Sequence, residues 1–174
     1  MKSIMVNTPG KIIKNKKKLE EKLFVSINIF GKKATIAGKE FDEYVALKIL
    51  EAISLGFKIS EALLLLDEEY IFEKLNIKEI SRRKNLSEVR ARCIGTNGRT
   101  LDTLERLSDC FITLHDNTIG IIGHVDEIKD ITNAIKSLIQ GSKQSSVYSY
   151  LEKSRHKITP KNIEEEIRKL ENKS

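Results

Sequence analysis

The chain repeats itself at a fixed spacing of 85 residues. Gly10 and Gly95, Leu19-Glu20 and Leu104-Glu105, Gly38 and Gly123, and Gly56 and Gly141 all stand in this register with no gap. The apolar pattern keeps the same spacing. Val25, Ile27 and Ile29 fall on Cys110, Ile112 and Leu114; Ala34, Ile36 and Ala37 fall on Ile119, Ile121 and Ile122; Ala46, Leu50 and Ile53 fall on Ile131, Ile135 and Leu138. One glycine aligns by chance, but three glycines, a Leu-Glu pair and three apolar patterns in one register mean two homologous units. In a 174-residue chain each unit has about 80 residues, which is small but enough to fold around its own core.

The second unit reads most clearly. Residues 88–93 are predicted as a short strand, followed by a turn at Gly95-Thr96-Asn97-Gly98. A helix is expected over 100–107, with Leu101, Leu104 and Leu107 on one face. Residues 110–115 alternate with period two, His115-Asp116-Asn117 supplies turn residues, and a second strand follows over 118–122, so this is a hairpin. A helix from about Val125 to Gln140 carries Ile128, Ile131, Ile135 and Leu138 as its buried stripe, with Gly141 as C-cap, as Gly56 is in the first unit. The order strand, glycine turn, helix, strand, strand, helix predicts an α+β fold: a three-stranded sheet packed by helices on one face, built twice.

The units are expected at 1–80 and 81–156. Between them, 60–66 reads as a short helix with Ser60 as N-cap, matched one repeat later by 145–151, and 68–75 reads as another helix. Ser81-Arg82-Arg83-Lys84 forms a basic lead into the second unit. Residues 157–174 form a separate tail. Thr159-Pro160 is a helix-start signal, and Ile163, Ile167 and Leu170 recur at helical spacing. The tail is read equally as a surface helix, a partner-binding helix or a poorly ordered end.

Composition narrows the function classes. The formal charge is +6 and the pI about 9.2, a balance that favours anionic partners such as nucleic acid. No apolar run is long enough to cross a bilayer and no secretory h-region opens the chain, so a cytoplasmic protein with reduced thiols at Cys93 and Cys110 is expected. His115, His124 and His156 are scattered, with no metal-ligand spacing, and neither a GxSxG elbow nor a GxxxxGK[ST] phosphate loop occurs. No catalytic residue, metal or cofactor is therefore assigned. Aromatic residues make up 6%, too few for a stacking platform spread over a sheet.

The candidate site is the glycine turn. Two glycines flanking two small polar residues let the backbone turn sharply and approach a phosphate chain without a Cβ in the way. The helix that starts there offers free N–H groups and the positive end of its dipole. Arg92 and Arg99 flank the turn. A bare GxxG is common and carries little weight. Its setting here, opening a helix and preceding a hairpin and a long helix, gives it meaning. The expected RNA-binding set is Arg90, Arg92, Ile94, Gly95, Thr96, Asn97, Gly98, Arg99, Thr100, Thr103 and Ile112. The loop would hold the backbone, while Ile94, Leu101 and Ile112 line or support a base groove.

The stretches RCIGTNGRTLDTLE, ITLHDNTIGIIG, LIQGSKQSSVYSYLE and EALLLLDEEY resemble the KH-domain small-ribosomal-subunit assembly factors of the Pno/Krr type, and most of all their archaeal members. The resemblance covers nearly all of 1–155, more weakly over the first unit. It implies two tandem type I KH domains. It also implies single-stranded ribosomal RNA near the 3′ end of the small-subunit RNA as ligand, a PIN-domain endonuclease and a translation initiation factor subunit as partners, and no enzyme activity. A monomer is expected. Two other readings stay open: a general KH single-strand RNA binder in mRNA decay or translation, and a protein-interaction scaffold.

The first unit departs from the pattern. Its equivalent turn reads Gly10-Lys11-Ile12-Ile13, with the second glycine replaced by a β-branched residue that resists the required backbone angles. A working clamp is not expected there. Lys14, Lys16, Lys17, Lys18 and Lys22 crowd the following helix, and a solvated lysine face accounts for them better than an RNA patch.

Overall fold

The computed structural model describes residues 1–156, so the tail read over 157–174 lies outside the described residues. The first half runs β1 (Lys2–Met5), α1 (Pro9–Lys14), α2 (Lys16–Leu23), β2 (Val25–Phe30), β3 (Lys33–Gly38) and α3 (Glu40–Leu55). A connection follows: α4 (Ile59–Ala62) and a 3₁₀ turn over Leu63–Leu66. The second half runs β4 (Tyr70–Asn76), α5 (Ile77–Ile80), α6 (Leu86–Ile94), α7 (Arg99–Ser108), β5 (Phe111–His115), β6 (Thr118–His124), α8 (Val125–Gln140) and α9 (Gln144–His156). Each half holds one antiparallel three-stranded sheet, ordered β1-β3-β2 and β4-β6-β5. The fold is thus α+β with two sheets, as the repeat predicts. The register repeats too: Ile27 faces Ile36 in one sheet, and Ile112 faces Ile121 in the other.

Two readings of element type are overturned, and the N-cap ahead of 60–66 is Lys58, with Ser60 inside α4. Residues 88–93 form the body of α6, not a strand. Leu86, Val89 and Cys93 recur at helical spacing and turn toward the core, and the Asn85 side chain accepts a bond from the Glu88 N–H as N-cap. Conversely, 68–75 contributes β4 rather than a helix. Ile71 and Leu75 face the second core while Tyr70 and Phe72 face the first, which is period two. The strand that opens the second sheet therefore starts at Tyr70 and precedes α5, α6 and α7. A division at residue 80 would part β4 from its partner β6, so we propose that the second domain begins just ahead of Tyr70.

Repeated side-chain bonds hold both halves in the same shape. Glu20 accepts the Ile27 N–H at 2.7 Å, and Glu105 accepts the Ile112 N–H at 2.7 Å. Lys11 donates to the Phe57 carbonyl, and Arg92 donates to the Gly141 and Ser142 carbonyls, so in each half a basic side chain, on α1 or on α6, ties down the end of the long helix. Burial raises the Cys93 and Cys110 thiols to about 11, which marks both as core residues rather than reactive thiols.

The halves meet face to face. Strand β6 is buried on both sides: Ile119 and Ile121 join the second core, while Ile122 joins the first. Gly120 allows this approach, since a Cβ there would stand 2.4 Å from Leu55 Cδ2 and 2.8 Å from Phe57 Cε2. Phe57, 2% exposed, packs edge-on against Phe72 with ring centroids 6.0 Å apart. Lys74 and Glu51 form an ion pair across the same junction. The first domain thus covers the sheet face of the second that helices leave bare. Phe57→Ala should lower stability by about 3 kcal/mol, the usual cost of emptying an aromatic site. Urea unfolding followed by circular dichroism measures this, and a loss below about 1 kcal/mol would contradict the packing described.

Candidate nucleic-acid interface

The glycine turn forms a tight bridge between α6 and α7. The Gly95 N–H closes α6 on the Ala91 carbonyl at 2.8 Å, and the Gly98 N–H returns to the Gly95 carbonyl at 3.2 Å. Three of its four residues have positive φ: Gly95 at 75°, Asn97 at 52° and Gly98 at 78°. Glycine suits the first and last, and asparagine is among the few other residues that tolerate the left-handed region. The two glycines serve different needs. A Cβ on Gly95 would stand 2.2 Å from Thr100 Oγ1 and 2.8 Å from the Thr100 backbone nitrogen. A Cβ on Gly98 would meet nothing within 4 Å, so only its backbone angle, and the space it leaves for a ligand, requires glycine.

The sequence set divides once placed. Thr96, Asn97 and Arg99 are exposed, and together with Gly98 they crown the first turn of α7. That helix end leaves backbone N–H groups pointing outward and favours negative charge. Arg90, Arg92 and Arg99 lie along this stretch, between Glu88 and Asp102, and Asp102 is the acid in the first turn of α7. Ile94 and Leu101 are half-buried beside the turn.

The remaining residues have structural partners. Arg92 is engaged with the Gly141 and Ser142 carbonyls, the same tie that Lys11 makes in the first half. Thr100 is buried, and its hydroxyl accepts from Gln144 Nε2 at 2.9 Å. Thr103 donates back to the Arg99 carbonyl at 2.8 Å. Ile112 lies in the core, 8% exposed, and so sits beneath the surface rather than on it. Arg90 reaches Asn117 Oδ1 at 2.5 Å, linking α6 to the turn between β5 and β6.

Two residues of this region were not legible as such. Gln144, at the start of α9, holds the base of the turn by donating to Thr100 Oγ1 and to the Arg92 carbonyl at 3.3 Å. Nothing in its local sequence marks it. Asn117 reads as a turn former, and its bond to Arg90 depends on where α6 passes.

The first half has no counterpart to this turn. Gly10, Lys11, Ile12 and Ile13 lie within α1, which Pro9 opens, and only Asn15 separates α1 from α2. Ile12 is fully buried and Ile13 is exposed. The expected degenerate turn is therefore a helix, and the loop is shortened to a single kinked residue.

Residues 71–156 match the model for the second domain of the Pno1 type, described as a eukaryotic-type KH domain, KH-domain type I. The chain belongs to the Pno type of KH-domain protein. A KH domain-containing protein of Methanocaldococcus jannaschii is 28% identical over 162 residues, which cover 89% of this chain and 70% of that protein. The pre-rRNA-processing protein pno1 of Emericella nidulans is 34% identical over 141 residues, 76% of this chain. The chain spans only about half of such eukaryotic relatives, 55% in this case. Among solved structures, a chain of the a/eIF2alpha–aDim2p–rRNA complex from Pyrococcus horikoshii OT3 superposes with a TM-score of 0.81 at 28% identity, over 90% of this chain and 94% of that one.

The geometry sets an order for two substitutions. Gly95→Ala should displace the turn and cut RNA affinity by about tenfold or more, since a backbone atom blocks its Cβ. Gly98→Ala should fold normally with a stability loss of about 1 kcal/mol, the left-handed penalty alone. Thermal unfolding and RNA titration of both variants check this, and equal damage from the two would contradict it.

Proposed function

We propose that this chain is a non-enzymatic ribosome-assembly factor that grips single-stranded ribosomal RNA, near the 3′ end of the small-subunit RNA, with its second domain. One observation carries the reading: a turn with three positive-φ residues, flanked by Arg92 and Arg99, opens onto a helix N-terminus within the domain that the KH model matches. In KH modules such a loop clamps the backbone of about four nucleotides. Thr96, Asn97, Gly98 and Arg99 are the contact residues. Ile94 and Leu101 offer apolar surface to the bases. Arg92, Thr100 and Ile112 hold the site in shape from behind.

Relatives support the ligand class. They are named as RNA-binding and pre-rRNA-processing proteins, and the Pyrococcus structure is a complex with rRNA and a/eIF2alpha. A translation-factor subunit is accordingly proposed as a protein partner here. A PIN-domain endonuclease acting on the same RNA end is the finer proposal, resting on the family resemblance alone. A cytoplasmic location is part of the same proposal and rests on the family's work in ribosome assembly. No described helix is long and apolar enough to cross a membrane.

The test replaces the two exposed loop residues by acids. Thr96→Asp with Asn97→Asp sets carboxylates against phosphates and should weaken binding to a 3′-end oligonucleotide by about tenfold or more, with circular dichroism unchanged. Full affinity in a folded double variant would refute the clamp. Equal wild-type affinity for a scrambled oligonucleotide would favour the general RNA binder over the ribosomal one.

A further inference from the structure

Beside the glycine turn lies a second cluster of positive charge. The turn between α8 and α9 touches the base of the clamp through Gln144, which bonds Thr100 and the Arg92 carbonyl. On the far side of that turn runs the linker ahead of α6. It is fixed in place: the Ser81 N–H bonds the Ile77 carbonyl at 2.8 Å, the Arg83 N–H bonds Ser81 Oγ at 3.1 Å, and Asn85 caps α6. This brings Arg83 against Gly141. Its Nη2 lies 3.6 Å, and Arg92 Nη1 lies 3.8 Å, from the point where a Gly141 Cβ would stand.

Two guanidinium groups thus converge on one helix end, and exposed Lys143 follows Gly141 by two residues in the chain. Arg92 takes the Gly141 and Ser142 carbonyls. The Arg83 side chain has no hydrogen-bond acceptor among the described residues, and neither Arg83 nor Lys143 belongs to an ion pair there. The negative end of the α8 dipole offsets part of the repulsion. A guanidinium fork left open beside a second one, on the surface, suits a phosphate group.

We propose that Arg83 and Lys143 form a phosphate subsite that carries the RNA strand past the clamp, across the α8–α9 turn. The inference rests on the clamp reading for its ligand, since the subsite adjoins the turn and engages the backbone of the same strand. It assigns the basic linker a binding role and makes the footprint longer than the roughly four nucleotides of a KH loop. Being a phosphate contact, it adds affinity without sequence preference.

The experiment compares two oligonucleotides from the 3′ end of the small-subunit RNA, one of four nucleotides and one of eight. Each is titrated against the wild type, Arg83→Gln with Lys143→Gln, and Thr96→Asp with Asn97→Asp. The Arg83/Lys143 variant should bind the longer strand about fivefold more weakly, with a log–log salt slope shallower by about 1, and bind the shorter strand as the wild type does. Unchanged affinity for the longer strand would overturn the subsite, as would equal losses on both lengths. The loop variant separates the two ideas. If it binds both strands like the wild type while the Arg83/Lys143 variant is weakened on the longer one, the clamp reading fails and Arg83 and Lys143 stand as an RNA phosphate contact of their own. If the wild type binds neither strand, both fall.

Discussion

Everything in the second domain depends on β6 being packed from both sides. Its residues alternate between two cores, with Ile119 and Ile121 under the helices and Ile122 against the first domain, and Gly120 lets Leu55 and Phe57 come close. A three-stranded sheet with one bare face would expose apolar surface to water. The first domain removes that cost by lending the end of α3 and Phe57. It also removes the sheet face as a place to bind anything. What stays open in the second domain is the helical side, and there the turn between α6 and α7 is the exposed element with backbone free for a ligand.

The repeat separates scaffold from function. Where both halves carry the same device, the device is structural: the glutamate that accepts from the second strand, the basic side chain that ties the end of the long helix, the left-handed residue that ends α2 and α7. Arg92 belongs to this group, although its position beside the turn suggests a phosphate contact. The difference between the halves is the turn itself, four residues in one and Asn15 alone in the other. The first half keeps the scaffold without the turn, and the proposed RNA contact falls to the half that has it.

Much of this was legible in the sequence. The 85-residue spacing gave the hairpins, the long helices and their caps, because those features depend on local apolar period and turn residues. The hairpin helix over Val125–Gln140 appears at its predicted bounds. Residues 68–75 and 88–93 were misread, since the first strand and first helix of the second domain have no counterpart at the repeat spacing: the first domain begins its strand at Lys2 and shortens the connection. Period two in Tyr70-Ile71-Phe72 spans two different cores, so neither face reads as polar. The turn was found from its glycines. The burial of Thr100 and Ile112, and the capture of Arg92 by carbonyls 49 and 50 residues away, depend on tertiary placement that no local pattern carries.

The central claim is that RNA is held at the turn between α6 and α7 and not at the matching place in the first domain. Amide chemical shifts followed by NMR during titration with a single-stranded 3′-end oligonucleotide test it most directly. The clamp assignment predicts shifts centred on Gly95, Thr96, Asn97, Gly98 and the first turn of α7, with Lys14, Asn15 and Lys16 unmoved. Shifts centred on Asn15 and its flanking lysines, with the glycine turn silent, would contradict it.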